Sequence, residues 1–160
     1  MPVLPTAPFT CTVVRVHDGD GPLWCANGIK VRIAGVQAPD YEDAEPCRRQ
    51  DARRANYTCD NAAADRSREI VERMVLRKTI TCQPLGKSYA RVVARCIMAD
   101  GRSLSCAVIA AGAAVRWARY WRQYRMGECR WARVEQKGRA IVPKPRNCAA
   151  VVTNNQLGRC

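Results

Sequence analysis

The chain has 160 residues, with 27 Lys and Arg against 14 Asp and Glu, so its net charge is +13 when the single histidine is neutral. One domain of this length can bury a sizeable core. A surface this basic attracts polyanions, most commonly nucleic acid, although simple solubility is an alternative explanation. No stretch approaches the ~20 apolar residues of a membrane-spanning helix, so we expect a soluble protein without a membrane partner.

The cysteine content is high and even, and the ten cysteines are Cys11, Cys25, Cys47, Cys59, Cys82, Cys96, Cys106, Cys129, Cys148 and Cys160. None forms a C-x-x-C pair and the only histidine is His17, which disfavours a zinc site. Disulfides fit better and favour a secreted or periplasmic protein. The N-terminus, MPVLPTAPFT, lacks the basic and apolar segments of a signal peptide. Either an export signal lies outside this sequence, or the protein is cytoplasmic with reduced thiols.

The first third of the chain predicts a three-stranded meander. Residues 1–8 hold three prolines and read as an extended lead-in. Phe9–Val16 is rich in Thr and Val and predicts a strand, which the turn HDGDG reverses into Pro22–Cys25. Asn-Gly then turns the chain into a third strand, Ile29–Val36, whose Arg32 lies on the face opposite its apolar residues.

The segment Gln37–Thr58 has no period and reads as a long loop, a kind of segment that is often functional. Asn61 can cap a helix over Ala62–Val75. The apolar face of that helix would consist of Ile70, Met74 and Val75.

Two further strands are predicted, Lys78–Cys82 and Tyr89–Met98, with a loop over Gln83–Ser88 between them. Ser103 or Ser105 can cap a short helix through Ala111, with Gly112 as its C-terminal stop.

A last helical region is predicted over Ala114–Val134. Its arginines recur every third residue, at Arg116, Arg119, Arg122 and Arg125. Its aromatic residues recur at helical spacing, at Trp117, Tyr120, Trp121 and Tyr124. Either the helix packs its aromatics on the barrel with the arginines in water, or the arginines also contact a nucleic-acid backbone. We expect one domain over residues 9–136 and an irregular basic tail over residues 137–160.

The order of elements is three strands, a helix, two strands and two helices. A five-stranded barrel with a helix between its third and fourth strands is the OB arrangement. The sequence therefore predicts an α+β, mainly β, OB-type barrel with about three helices.

Four fragments of the sequence, taken in this order of elements, resemble the staphylococcal-nuclease-like (thermonuclease) family over roughly Thr12 to Tyr124. RVHDGDG is similar to the V-x-DGDT turn of the family, and VRIAGVQAPD is similar to its strand R-L-x-G-[IV]-D-[AT]-PE. SYARVVARCIMADGRSL resembles the segment YGR-x-x-A…DG-x-x-[VL], and CAVIAAGAA resembles the helix E-x-L-[VL]-x-x-G-x-A.

The resemblance implies a nuclease that hydrolyses phosphodiester bonds of DNA or RNA with Ca²⁺ and no organic cofactor. Asp20 would bind the metal, and Arg32 and Arg91 would hold the scissile phosphate. Asp40 would position the attacking water, and Tyr89 would lie beside the bound nucleotide. Fixed guanidinium groups suit this chemistry because charge builds on the phosphoryl oxygens during in-line attack.

Departures from the family pattern weaken the metal half of this site. Gln37 stands where the family has a second metal-binding aspartate, so an oxygen ligand remains without its charge, and calcium should bind weakly. Asp40 replaces a glutamate and is one methylene shorter. Smaller changes are Gly21, in place of the threonine of DGDT, and Ala90, in place of the glycine of YGR, which affect turn geometry.

Several alternatives for the site stay open. Glu42 or Asp43 can supply a missing carboxylate or belong to a solvated acidic loop. Asp18 can support the metal or simply favour its turn, and His17 is a minor candidate for a general base. The two arginines can bind phosphate or can instead neutralise Asp20 or Asp40.

Possible disulfides join cysteines that bracket a loop or lie on neighbouring strands, although order alone does not decide among pairings. The candidate pairs are Cys11–Cys25, Cys47–Cys59, Cys82–Cys96, Cys106–Cys129 and Cys148–Cys160.

Three functions are compatible with the sequence. The first is a monomeric, metal-dependent nuclease, whose activity is weak if the altered metal site matters. The second is a catalytically inactive barrel that binds nucleic acid. The third is a disulfide-stabilised basic domain that binds a protein partner.

Overall fold

A computed structural model of the protein describes residues 3–49 and 57–129. The strands are β1 (Phe9–Val16), β2 (Leu23–Cys25), β3 (Lys30–Ile33), β4 (Val36–Gln37), β5 (Thr79–Ser88), β6 (Arg91–Ile97) and β7 (Val115–Arg116). The helices are α1 (Glu45–Arg48), α2 (Asn61–Val75), α3 (Leu104–Ala110) and α4 (Ala118–Gln123). In this described part of the chain, no helix is long and apolar enough to cross a membrane.

Five strands close a barrel in the order β1-β2-β3-β6-β5, with β5 returning to β1. The pair β3–β6 is parallel and the other pairs are antiparallel. The remaining strands, β4 and β7, form a small two-stranded sheet. The prediction of an α+β, mainly β protein built on a five-stranded barrel is thus confirmed.

The barrel core comes from alternating apolar residues. In β1 the side chains of Cys11, Val13 and Val16 are buried. The two-residue alternation of buried positions is interrupted between Val13 and Val16, because the register with β2 shifts between Val13 and Arg15. The shift returns Val16 to the interior immediately before the acidic turn.

Four disulfides cross-link the described residues, and they join Cys11–Cys25, Cys47–Cys59, Cys82–Cys96 and Cys106–Cys129. These are four of the five candidate pairs. The fifth, Cys148–Cys160, lies outside the described residues, as does the tail over residues 137–160. Four disulfides in so short a chain fit an oxidising compartment.

The third strand is shorter than the predicted Ile29–Val36. The observed strand β3 ends at Ile33, and a turn at Ala34 and Gly35 separates it from β4. Gly35 has φ +74°, and a Cβ there would lie 2.9 Å from Cε3 of Trp121. The chain turns here because β4 leaves the barrel to pair with β7.

The predicted loop over Gln83–Ser88 is also wrong, because β5 continues as a strand to Ser88. Pro84 pairs with Ala94 and Gly86 with Val93, with a register shift between them, and the pairing with β6 continues to Ser88 opposite Arg91. The turn is therefore only two residues long, with Tyr89 at φ +55°.

The predicted helix over Ala114–Val134 is wrong at both ends of its described part. Val115–Arg116 is extended because it pairs with β4, and α4 begins only at Ala118. The helix ends at Gln123, and Arg125 has a φ of +48°. Residues from 130 onward lie outside the described part.

Other helix details differ less. Asp60, rather than Asn61, caps α2 by accepting a hydrogen bond from the Ala63 amide. Its buried residues are Ala64, Ser67, Val71 and Val75, so of the predicted apolar face only Val75 is fully buried. Ser103 caps α3 as expected, whereas Ser105 donates a hydrogen bond to the Ala34 carbonyl. The short helix α1 lies inside the segment predicted as a loop.

Gly35→Ala should destabilise the protein, because the new methyl group meets Trp121 as well as requiring a left-handed backbone. We expect a loss of about 1–2 kcal/mol from the backbone and roughly 1–3 kcal/mol from overpacking. Gly112→Ala is the matched control, since Gly112 has φ +77° and no atom within 4 Å of the new Cβ. Urea unfolding followed by circular dichroism measures both losses. Equal losses for the two variants would contradict the packing argument.

Candidate functional site

A cleft of about 750 Å³ at the barrel edge contains the predicted site residues. Its lining includes all six of them, namely Asp20, Arg32, Gln37, Asp40, Tyr89 and Arg91. They come from the turn after β1, from β3 and β4, from the segment after β4, and from the β5–β6 hairpin. The fold thus brings together residues that are up to 71 positions apart in the sequence.

The centre of the cleft is an ion pair between Arg32 and Asp20. Arg32 Nη1 lies 2.8 Å from Asp20 Oδ1 and donates to the Asp20 carbonyl at 3.2 Å. Arg32 Nη2 donates to the Val36 carbonyl at 3.1 Å and to Gln37 Oε1 at 3.3 Å. Both side chains of the ion pair are largely buried, with exposed fractions of 13% and 6%. Arg32 therefore neutralises Asp20, one of the two roles that the sequence left open.

The acidic turn is held by its own backbone. Asp20 Oδ2 accepts a 2.7 Å hydrogen bond from the Ala38 amide, and the Asp20 amide donates to Asp18 Oδ1. Asp18 is buried, and burial together with the neighbouring Asp20 charge raises its pKa well above the usual range. Asp18 thus shapes the turn and does not add a readily ionised ligand.

Gln37 links the ion pair to Asp40. Its Nε2 donates to Asp40 Oδ2 at 2.9 Å while its Oε1 accepts from Arg32. Asp40 is fixed through its backbone, because its amide donates to the Thr58 carbonyl and its own carbonyl accepts from Asp60. Burial, and next the charge of Asp20, raise the pKa of Asp40 to about 6. Asp40 is therefore a carboxylate that exchanges a proton close to neutral pH.

Arg91 is the guanidinium that remains available. Arg32 lies opposite Val93 in the parallel pair β3–β6, so Arg91, two residues before Val93, points to the same face as Arg32. Arg91 donates to the Ser88 carbonyl and to Ser88 Oγ. Within residues 3–49 and 57–129 it forms no ion pair. Burial and then the charge of Arg32 lower its pKa, as expected for a cation without a carboxylate partner.

Of the other candidate residues, two lie outside this cleft and two line it. Glu42 and Asp43 line a separate depression beside α2, so they do not replace the missing carboxylate. His17 lines the cleft, and burial followed by the Arg15 charge lowers its pKa, which leaves the imidazole neutral at pH 7. Tyr89 is 83% exposed at the hairpin tip.

One wall of the cleft is aromatic, and the sequence alone did not place it there. This wall consists of Tyr57, Trp117, Tyr120 and Tyr124. Its rings make successive contacts, with centroids 6.1 Å apart for Tyr57–Trp117 and 4.7 Å apart for Trp117–Tyr120. Of the predicted aromatic set of α4, only Trp121 packs into the core. Helical spacing identified Trp117, Tyr120, Trp121 and Tyr124, but it did not separate the one that faces the core from the three that face the cleft, and it gave no signal for Tyr57.

The described residues do not supply the donor set of a calcium site. Calcium takes 6–8 oxygen ligands. Asp20 Oδ1 already forms an ion pair with Arg32, and Asp20 Oδ2 accepts a hydrogen bond from the Ala38 amide. Gln37 Oε1 accepts a hydrogen bond from the Arg32 guanidinium. Within residues 3–49 and 57–129, no three His, Cys, Asp or Glu side chains cluster as metal ligands would. Asp20 and Gln37 both bond to the Arg32 guanidinium in this structure.

No protein-family model matches this sequence, and no curated protein matches it significantly. The family resemblance therefore depends on the four sequence fragments alone.

Replacing Arg32 should destabilise the protein far more than replacing Arg91. Arg32→Gln leaves the buried Asp20 charge unpaired, which costs roughly 3–5 kcal/mol. Arg91→Gln loses only hydrogen bonds to Ser88 and relieves repulsion from Arg32, so we expect a cost of about 1 kcal/mol or less. Urea unfolding checks the difference. Adding Asp20→Asn to Arg32→Gln should restore part of the loss, and no restoration would show that the ion pair is not its cause.

Asp40 should titrate with a pKa of about 6 in carboxyl-detected NMR. The folded state then binds this proton more tightly than the unfolded chain does, so this group lowers stability as the pH rises from about 4 to about 6. Gln37→Met should raise the pKa further because it removes a hydrogen bond to the carboxylate. Asp100, whose pKa is lowered by hydrogen bonds from Arg102, is the internal control. An Asp40 midpoint near 4 would contradict the arrangement.

Proposed function

We propose that this protein is a staphylococcal-nuclease-like, OB-type barrel that binds DNA or RNA in the cleft and hydrolyses phosphodiester bonds there. One observation carries the proposal: Arg32 and Arg91 lie on one face of the barrel, in the same cleft as Asp40. The four sequence fragments support the family assignment, and the strand order β1-β2-β3-β6-β5 supports the OB topology. The disulfides favour a secreted or periplasmic location, and we expect a monomer.

Arg91 is the principal phosphate-binding group in this proposal. A half-buried guanidinium without a carboxylate partner gains from an incoming anion, and its planar fork can hold two phosphoryl oxygens. Arg32 contributes charge but keeps its bond to Asp20. The positive charges offset the extra negative charge that builds on the phosphoryl oxygens as the transition state forms.

Asp40 is the proposed base. With a pKa of about 6 it is ionised at pH 7 to 8 and can accept a proton from a water molecule. The water oxygen bonds to phosphorus, one ester P–O bond breaks, and the leaving oxygen takes a proton from solvent. No step is assigned to calcium, because the described residues do not form its donor set. The expected activity is consequently weak.

A second candidate is nucleic-acid binding without hydrolysis. It is favoured by Asp20, whose two carboxylate oxygens already contact Arg32 and the Ala38 amide, and by the hydrogen bond from Gln37 that restrains Asp40. In this candidate the same arginines and aromatic wall hold the strand, and the carboxylates only stabilise the turn.

Digestion of single-stranded DNA and of RNA with Ca²⁺, with Mg²⁺ and with EDTA tests the proposal. We expect cleavage that Arg91→Gln reduces by roughly 10²–10³-fold, as removal of one transition-state donor typically does. Asp40→Asn should abolish cleavage but retain binding. Arg73→Gln, on an exposed position of α2 outside the cleft, is the matched charge control.

The outcomes separate the candidate functions. If no metal condition gives cleavage but binding depends on Arg91, the second candidate is correct and the nuclease proposal is wrong. If wild-type protein binds no nucleic acid at any salt concentration, both fail, and a protein-interaction domain remains. Cleavage only with Ca²⁺ would show that a ligand set absent from the described residues forms with substrate.

A further inference from the structure

Four exposed arginines lie in α4 or within two residues of its ends, close in sequence to the aromatic residues of the cleft. We call this group the α4 arginine face, and it consists of Arg116, Arg119, Arg122 and Arg125. Arg119 and Arg122 are three residues apart on the outer side of the helix, where such residues are neighbours. This surface contributes nothing to the hydrolysis proposed above.

The charge of this face is not neutralised by the rest of the described chain. Arg49, Arg68 and Arg102 each pair with a nearby carboxylate. In contrast, none of the four arginines of the α4 face forms an ion pair within residues 3–49 and 57–129. Arg119 and Arg122 are neighbours on α4 without carboxylate partners, so an anion with several charges gains energy by lying across them.

Aromatic contacts connect this face to the cleft. The guanidinium of Arg119 lies 5.6 Å from the ring centroid of Tyr120, and Tyr120 lines the cleft. The guanidinium of Arg116 lies 4.4 Å from the ring of the buried Trp121. Such contacts hold the arginine stems and leave guanidinium N–H groups for phosphates. Arg119 is therefore next to the aromatic wall of the cleft.

We infer that the α4 arginine face binds phosphates of the strand that leaves the cleft, so that the ligand is a polynucleotide several phosphates long rather than a mononucleotide. This inference rests on the proposed binding of nucleic acid in the cleft. A flexible polyanion matches it because its regularly spaced charges can follow the cleft and then the helix. Arg119 and Arg122 are the contacts that the inference depends on most.

Fluorescence anisotropy with the full chain in EDTA tests the inference, using labelled oligothymidylates of two and about 12 nucleotides. The dinucleotide reports the cleft alone, and the longer strand reports both surfaces. Arg119→Gln/Arg122→Gln should leave dinucleotide affinity unchanged and weaken binding of the longer strand. Each phosphate contact on a single strand adds about 0.7 to the slope of log affinity against log salt, so loss of two contacts lowers the slope by about 1.4. The ratio of wild-type to variant affinity should therefore fall about sevenfold between roughly 50 and 200 mM salt.

Three further variants make the result specific. Arg119→Lys/Arg122→Lys keeps the charge and should retain most of the affinity for the longer strand. Arg66→Gln/Arg73→Gln removes the same charge from exposed positions of α2 and should change neither affinity nor slope. Arg91→Gln should weaken both oligonucleotides, since it acts in the cleft.

Some results would overturn the inference. If Arg119→Gln/Arg122→Gln binds both oligonucleotides as wild type does, the face is only a solvated surface. An equal loss in the lysine variant, or in the α2 control, would assign the effect to packing or to total charge. If wild type binds neither oligonucleotide, the proposed function fails as well, which is distinguishable because the first result leaves dinucleotide binding intact.

Discussion

The ion pair between Arg32 and Asp20 is the interaction on which the cleft depends. It joins the middle of β3 to the acidic turn after β1, and Asp20 also accepts the Ala38 amide, so three separate pieces of chain meet at one carboxylate. In a largely buried place an ion pair is favourable only when its remaining hydrogen-bonding atoms are satisfied. Val36 and Gln37 meet that condition for Arg32. The same bonds explain why Asp20 is poorly suited to a metal ion.

The disulfides fix the walls that surround this centre. Cys47–Cys59 ties α1 to the segment whose backbone holds Asp40, and Cys82–Cys96 spans directly opposed positions of β5 and β6 beneath the Arg91 hairpin. Cys106–Cys129 joins α3 to the residues that follow α4. Cross-links of this kind restrict the unfolded chain and so favour a small barrel. Here they also hold elements that carry the aromatic wall and the arginines.

The cationic and the acidic groups of the cleft differ in how far they are paired. Arg91 is half-buried and forms no ion pair with a carboxylate of the described residues, whereas the acidic groups are either paired, as Asp20 is, or harder to ionise, as Asp18 and Asp40 are. This imbalance favours phosphate binding over metal binding. It also places a carboxylate with a pKa of about 6 beside the arginines, which is the basis for the proposed hydrolysis.

Sequence patterns predicted the barrel and most of its strands, because alternation and turn residues are visible in a short stretch of chain. The four disulfides were among the candidate cysteine pairs, which the sequence left undecided. The six residues that meet in the cleft were indicated by the family resemblance and not by local pattern. The three-dimensional structure was needed to show that Arg32 pairs with Asp20 while Arg91 forms no ion pair among the described residues, because this depends on which side chains meet across β3 and β6. It also decided that β5 continues past Pro84, that Val115–Arg116 is a strand, and that Trp117 and Tyr120 face the cleft. In each of these cases pairing with a distant segment outweighed a local preference, and such pairing is not encoded within a short window of residues.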